Sequence, residues 1–109
     1  MAEIRNIYID QGTTFSMSVT VSDQNGDPKD LTNYTAASQM RKSYYTSAST
    51  DFTTVIQYPL DGTVTISLTA EETSALKAGR YVYDIEISSN EETLRILEGI
   101  VVINPEVTR

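Results

Sequence analysis

The chain has 109 residues, of which 39% are apolar, so we expect one domain with a single hydrophobic core. It contains neither cysteine nor histidine, which excludes disulfides, the usual zinc and copper sites, Ser-His-Asp triads and imidazole acid–base catalysis. Its formal net charge is −7. Because phosphate recognition relies on clustered Lys and Arg, we expect no nucleic-acid-binding surface.

The amino-terminal third predicts two strands and a reversal. Residues 4–9 form a short apolar-rich run that predicts a first strand. From residue 13 to residue 21, apolar and hydroxyl side chains alternate with a period of two, as in a strand with one buried face. Residues 23–28 then predict a turn, since Asn-Gly adopts positive φ readily and the following proline cannot continue a ladder. No apolar run is long enough for a signal peptide or a membrane span.

The middle of the chain is less regular. Residues 34–41 predict a strand with small side chains, and the hydroxyl-rich stretch from residue 43 to residue 54 predicts a long exposed connection that rejoins the sheet near Phe52. Tyr44 and Tyr45 lie near its start, and tyrosines in a Ser/Thr-rich loop offer adaptable contact area. We therefore consider this stretch a candidate contact loop, with an ordinary exposed loop as the alternative.

A turn, a strand and a short helix follow. Residues 59–68 predict a turn and a half-buried strand in which Val, Ile and Leu alternate with hydroxyl residues. Thr69 and Glu72 have the spacing of a capping box, which predicts a short helix to about Lys77. Gly79 is then expected to be the left-handed residue that ends the helix.

The penultimate strand begins with a pattern typical of a structural corner. Residues 80–87 alternate, with Tyr81 among the inward residues. A helical turn, Gly79 and then Tyr81 resemble the tyrosine corner of immunoglobulin-like domains. We expect the Tyr81 hydroxyl to bond the backbone upstream, with ligand binding as the alternative role.

The last predicted strand, residues 93–103, is apolar on both faces. Four of its apolar residues are assigned to the core: Leu94, Ile96, Ile100 and Val102. Three remain on the opposite face: Leu97, Val101 and Ile103. These three require cover, which either a helix or the surface of a partner could provide.

About seven short strands, with one short helix before the penultimate strand, predict an all-β, immunoglobulin-like antiparallel Greek-key sandwich formed by residues 1–109 as one domain. Two acidic patterns could suggest a calcium site or a glycosidase site, but a turn and solvated surface charges explain them. The acidic stretch 23–27 lacks the glycine and glutamate that a calcium loop needs at their positions. The adjacent pairs Glu71-Glu72 and Glu91-Glu92 do not face each other across a bond, as glycosidase carboxylates must. We therefore expect no enzyme, no cofactor and no metal.

Five segments together resemble a known family: IYIDQGTTF (7–15), LTNYTA (31–36), QMRKS (39–43), LKAGRYVYD (76–84) and EG (98–99). They resemble the small virion structural proteins of T4-like tailed phages, especially those of cyanobacteria and marine bacteria. They are also similar to the immunoglobulin-like N-terminal module of phage baseplate upper proteins. The resemblance covers almost the whole chain.

The resemblance implies a non-enzymatic virion component, assembled in the host cytoplasm and present in multiple copies in a symmetric particle. Its expected partners are other virion proteins of the tail, baseplate, neck or capsid, with no nucleic acid and no membrane. Because the sequence ends at Arg109, soon after the last strand, we expect an adaptor or decoration role rather than host attachment. The alternative is a carbohydrate- or cell-surface-binding module in which Tyr44, Tyr45 and Phe52 form an aromatic platform.

Overall fold

The computed structural model describes residues 3–43 and 48–106. Within these ranges the strands are β1 (Glu3–Ile4), β2 (Ile7–Asp10), β3 (Phe15–Thr20), β4 (Thr35–Arg41), β5 (Thr50–Asp51), β6 (Thr53–Val55), β7 (Thr63–Leu68), β8 (Gly79–Ser88) and β9 (Thr93–Asn104). A single turn of 3₁₀-helix (Pro59–Asp61) precedes β7, and one α-helix, α1 (Ala70–Ser74), connects β7 to β8.

The strands form two sheets. In the first sheet, β1 and β2 lie one after the other along β9, and the order continues through β8 and β4 to β5. The second sheet has the order β3–β7–β6. The chain crosses between the sheets after β2, β3, β5 and β7, which is the Greek-key arrangement of an immunoglobulin-like sandwich. The predicted fold class is therefore confirmed, except that β1 and β2 run parallel to β9.

The core lies between the sheets and follows the period-two patterns of the sequence. In β7, Val64, Ile66 and Leu68 are all buried, while the residues between them are partly exposed. The ten-residue β8 buries Tyr81, Tyr83, Ile85 and Ile87 in the same way. Because both strands are central in their sheets, their inward side chains pack against each other as the two layers of the sandwich.

The helix before β8 begins as predicted and ends earlier. The Thr69 hydroxyl accepts a bond from the amide of Glu72 (3.1 Å) and the Glu72 carboxylate accepts one from the amide of Thr69 (2.8 Å), which confirms the capping box. The helix stops at Ser74 because the chain then turns to bury Leu76. Gly79 is therefore not the residue that ends the helix; it is the first residue of β8, with a φ of +137°.

The structure corrects the face assignment of β9. Leu94 lies opposite Ile87 and faces inward, but a β-bulge leaves Ile96 without an opposite residue, and Leu97 then lies opposite Ile85. An extra residue exchanges the two faces of a strand. Three residues expected to contact a partner are consequently in the core, each at most 1% exposed: Leu97, Val101 and Ile103. Two residues assigned to the core instead lie on the outer face of the first sheet: Ile100 and Val102.

The first strand is interrupted between β1 and β2, where the backbone of Arg5 crosses close to Gly99. The Arg5 carbonyl accepts a hydrogen bond from the Tyr83 hydroxyl (2.6 Å), and the Asn6 side-chain oxygen accepts one from the amide of Ile100 (3.2 Å). A β-carbon on Gly99 would lie 2.2 Å from the Arg5 carbonyl oxygen, far inside contact distance. Gly99 is therefore what allows the first strand to lie this close to β9 at Arg5.

Candidate interaction surfaces

The outer face of the first sheet carries exposed apolar side chains, which we call the apolar band: Ile4, Tyr8, Val82, Ile100 and Val102. The strand register places Tyr8 beside Val102 and Val82 beside Ile100. Ile4 and Tyr8 are 73% and 69% exposed, whereas the three aliphatic residues from β8 and β9 are half-buried. The band results from outward-facing positions on neighbouring strands, so it is held on a rigid surface.

A charged group, the arginine cluster, adjoins the apolar band. Arg95 of β9 lies 3.3 Å from a carboxylate oxygen of Asp84, 3.5 Å from one of Glu98 and 3.9 Å from one of Glu86. All four side chains are at least one-third exposed, so solvent screens each pair and each contributes little to folding. Three carboxylates around one guanidinium leave the cluster with negative charge, which suits contact with a basic partner.

The pKa of Asp84 is raised, first by partial burial and then by the neighbouring carboxylates of Glu86 and Glu98, while Arg95 and Arg41 lower it. With three carboxylates and two guanidinium groups, this part of the outer face carries a net negative charge.

The outer face of the second sheet is different, because the outward residues of β3, β6 and β7 that the structure describes are mostly Ser and Thr and include no charged residue. Ser18 and Thr65 are hydrogen-bonded across β3 and β7 (2.8 Å between hydroxyl oxygens), and Thr20 and Thr63 lie 3.5 Å apart in the next row. Three further exposed apolar residues lie at one end of this sheet: Val55, Tyr58 and Leu60. Such a neutral face offers hydrogen bonding without electrostatic attraction.

Phe52 does not belong to an exposed aromatic platform. Phe52 is 4% exposed and packs in the core, with its ring centroid 6.0 Å from that of Phe15 and 6.3 Å from that of Tyr83. The prediction of Phe52 as a contact residue is therefore wrong, because the short strands β5 and β6 turn its side chain between the sheets. Tyr44 and Tyr45 lie outside the described residues.

At the start of β8, the Tyr81 hydroxyl donates a hydrogen bond to the carbonyl of Lys77 (2.8 Å), four residues upstream. Burial raises the pKa of Tyr81, with a smaller opposing effect of this bond. The Lys42 ammonium lies over the ring, 4.5 Å from its centroid, and passes Gly79, where a β-carbon would lie 3.0 Å from it. The ring of Tyr81 is thus covered by Lys42, and its hydroxyl holds the connection after α1.

A second polar contact at this end of the sandwich was not predicted from the sequence. Thr73 of α1 is fully buried; its hydroxyl accepts a bond from the amide of Gly12 (3.0 Å) and donates one to the carbonyl of Thr13 (2.8 Å). The Gln11 side-chain amide donates to the Leu76 carbonyl (2.7 Å). These bonds join the turn after β2 to the helix. The sequence contained one signal for this role, since Thr73 follows the capping box at a position that faces the core.

Two residues of the outer face, Tyr8 and Arg95, were not predicted as contact residues from the sequence either. The sequence signal for Tyr8 is the alternation of side chains along a strand: Tyr8 lies between the buried Ile7 and Ile9, so its ring must face outward. Arg95 required knowledge of the bulge, which decides which acidic residues of β8 and β9 share its face.

Within residues 3–43 and 48–106, there is no group of three or more acidic side chains with the geometry of a metal site. Over the same ranges, no helix has the length and apolar composition needed to cross a membrane.

The sequence matches no protein-family model and no curated protein. Among solved structures, the chain aligns with InlP of Listeria monocytogenes at a TM-score of 0.50 and 16% identity, covering 94% of this chain and 28% of InlP. It aligns with the N-terminal domain of ORF48 of phage TP901-1 at a TM-score of 0.54 and 9% identity, covering 92% of this chain and 85% of that domain. Murine CRIg aligns at a TM-score of 0.39 and 9% identity, covering 93% of this chain and 92% of CRIg. The first two likenesses agree with the sandwich fold, and this chain spans only 28% of the length of InlP.

Proposed function

We propose that this chain is a non-enzymatic structural module of a phage virion, an adaptor or decoration domain that binds another virion protein through the outer face of its first sheet. The observation that carries the proposal is the apolar band. Ile4 and Tyr8 expose most of their surface on the same sheet face as three half-buried aliphatic residues, and exposed apolar surface of this kind is typical of interaction sites.

The arginine cluster supports the choice of this face and the chemistry of the partner. An apolar centre next to a polar margin is the usual anatomy of a protein–protein interface. The excess of carboxylates around Arg95, together with the raised pKa of Asp84, favours a partner surface that carries Lys or Arg. In this arrangement, Tyr8 provides the aromatic anchor, and the carboxylates guide the orientation.

The phage context is supported by two independent likenesses. The sequence segments described above resemble small virion proteins of tailed phages, and the fold aligns along 92% of the chain with a domain of a protein of phage TP901-1. Both likenesses span nearly the whole domain. Locating the chain in purified virions decides whether its position is in the tail, baseplate, neck or capsid.

The test is to purify virions from a culture that produces this chain, to identify the chain by mass spectrometry and to locate it by cryo-electron microscopy. We expect a regular position in which Tyr8 and Val102 are buried against a neighbouring protein. Absence from purified virions would overturn the structural role. Presence with the outer face in solvent and another face buried would overturn the docking surface.

A matched pair of variants tests the docking face directly. Tyr8 and Tyr58 are similarly exposed, at 69% and 64%, but only Tyr8 belongs to the apolar band. We expect Tyr8→Lys to lower the amount of chain incorporated into virions by about tenfold, as for the loss of an aromatic hot spot. Tyr58→Lys should leave incorporation unchanged. Equal effects of the two substitutions would contradict the assignment of the outer face.

A further inference from the structure

We propose that the free edge of β3 pairs with β3 of a second copy of this chain, in antiparallel register around a twofold axis at Ser18. In the described part of the chain, β3 pairs with β7 on one side and with no strand on the other. The edge is open because β1 and β2 follow β9 of the opposite sheet.

The backbone of β3 is oriented for such pairing. The amide of Val21 donates to the carbonyl of Gly62 (2.7 Å) at the end of the β3–β7 ladder. Backbone groups point to alternate sides along a strand, so those of Ser16, Ser18 and Thr20 point to the open edge. The six residues of β3 are in continuous register with β7, without a bulge. The edge is therefore regular enough to accept another strand.

The edge also lacks the features that usually prevent strand addition. Natural edge strands are protected by charged residues, proline, bulges or short length. Charged residues make up 21% of the chain, but residues 13–22 contain no charged residue, no proline and no glycine. The other edges are better protected, since β5 and β6 have only two and three residues, and β1 and β2 carry Glu3 and Asp10.

The occupant is a second copy because the strand is complementary to itself. With Ser18 opposite Ser18, Ser16 lies opposite Thr20, and all side chains on this face carry hydroxyl groups. On the inner face Met17 then lies opposite Val19, which matches two apolar side chains. A chain of net charge −7 repels its own copy at most surfaces, but the charge-free β3 is a place where this repulsion is small.

A groove beside β3 adds apolar contact to the backbone pairing. It has a volume of about 380 Å³, with Val19 and Val21 on one wall and Leu94 and Ile96 on the other. The oppositely charged Glu3 and Arg95 also line it. The bulge of β9 directs Ile96 to this groove instead of pairing it with β8. Pairing along β3 would place residues 14–17 of one copy opposite residues 19–22 of the other, which line its groove, and would cover these side chains.

The first experiment measures the mass of the purified chain by sedimentation velocity over a concentration series. We expect a dimer that dissociates on dilution and that is strengthened by added salt, because salt screens the repulsion between acidic copies. A chain that remains monomeric up to about 1 mM would overturn the proposal.

The second experiment places like charges at the twofold axis. Ser18→Lys is tolerated in the monomer because the side chain is exposed, but two lysines would face each other in the dimer. We expect the dimer dissociation constant to rise by about tenfold or more. Thr53→Lys is the control, on the exposed opposite edge of the same sheet, and it should leave the constant unchanged. A dimer weakened by Tyr8→Lys and unaffected by Ser18→Lys would place self-association on the outer face and overturn the β3 pairing.

The third experiment uses the absence of cysteine. Residues directly opposite in a hydrogen-bonded antiparallel pair have Cα atoms about 5.5 Å apart, which a disulfide can span. Ser18→Cys should therefore form a covalent dimer under mild oxidation at concentrations where the noncovalent dimer is populated, whereas Thr53→Cys should remain monomeric on a non-reducing gel. Equal crosslinking of the two variants would contradict the proposed register.

Discussion

Two sites join the beginning of the chain to the rest of the sandwich by different means. At the first, which we call the crossing, Arg5 lies against Gly99; at the second, which we call the corner, α1 contacts the turn after β2. At the crossing, the Arg5 carbonyl lies where Gly99 has no side chain, and it is bonded by the Tyr83 hydroxyl. At the corner, the hydroxyl of Thr73 bonds backbone groups of the turn after β2. The crossing depends on the absence of a side chain at Gly99, and the corner depends on the buried hydroxyl of Thr73. Single substitutions can therefore separate the steric constraint from the hydrogen-bonding constraint.

The largest effect is expected at the crossing. Gly99→Ala would place a β-carbon against the backbone of Arg5, and we expect the free energy of unfolding to fall by about 3 kcal/mol, as for an overpacked site. Urea denaturation measures this change. Gly26→Ala is the control: Gly26 has a φ of +86° but no atom within 4 Å of a β-carbon, so its cost is only conformational, about 1 kcal/mol. A smaller loss for Gly99→Ala than for Gly26→Ala would contradict the steric explanation.

The buried hydroxyl of the corner is expected to come next. Thr73→Val keeps the shape of the side chain but leaves the Gly12 amide and the Thr13 carbonyl without this partner, which should cost about 2 kcal/mol of unfolding free energy. Thr73→Ser retains the hydroxyl and should be the more stable of the two variants in the same urea titration. If Thr73→Ser were the less stable, packing rather than hydrogen bonding would dominate the site.

Replacing Tyr83 by phenylalanine removes the hydroxyl that bonds the Arg5 carbonyl and leaves Gly99 unchanged. Tyr83→Phe should lower the unfolding free energy by about 1.5 kcal/mol at neutral pH, because the Arg5 carbonyl loses its 2.6 Å bond. Burial raises the pKa of Tyr83 to about 12, against a smaller opposing effect of Arg5. A raised pKa in the folded state means that the contribution is complete below pH 10 and is lost as the pH rises towards 12. The stability difference between wild type and Tyr83→Phe should therefore shrink in thermal melts above pH 10; a constant difference would contradict this assignment.

The Tyr81 hydroxyl is expected to contribute less, because the Lys77 residue that it bonds is exposed and its carbonyl can turn to water. Tyr81→Phe should cost about 1 kcal/mol. The phenylalanine ring still accepts the Lys42 ammonium over its face. Hydrogen exchange in the segment between α1 and β8 should become faster in this variant, while exchange in β9 should stay the same. Unchanged exchange in the segment would show that the bond does not hold the connection.

The smallest effect is expected at the exposed arginine cluster, which contrasts with both buried sites. Arg95→Met should lower the unfolding free energy by less than about 1 kcal/mol at pH 7. Because the pKa of Asp84 is raised, protonation of this carboxyl favours the folded state as the pH falls, and the loss caused by removing Arg95 should shrink in acid. Chemical denaturation at pH 7 and pH 4 measures both values. A larger loss at pH 4 would contradict the role of carboxylate repulsion.

Much of the sandwich could be predicted from local sequence patterns. The alternation of Val64, Ile66 and Leu68 indicates a strand and its buried face, because side chains in a strand alternate regardless of what the other sheet contains. The capping box of Thr69 and Glu72 is likewise a contact within one turn of helix. These predictions needed only residues that are near one another in the chain, and they were correct.

The candidate surfaces depended on information that is not local. Since β9 is apolar on both faces, its composition could not reveal that a bulge at Ile96 exchanges the faces and buries Leu97. Phe52 was predicted to be a contact residue of an aromatic platform, but the pairing of β5 and β6 with different sheets turns it inward. The outer face and its arginine cluster could therefore be recognised only after the register was known.

The sequence by itself thus determined the class of fold, the inward residues of β7 and β8, and the helix start, since each follows from the period of a strand or a single turn of helix. The tertiary structure decided that the first strand runs parallel to β9, that Gly99 is needed where Arg5 crosses, and that β3 keeps an open edge. The physical reason is that strand pairing is a relation between distant segments. Its register and direction are selected by the combined burial and hydrogen bonding of both strands, which neither segment specifies alone.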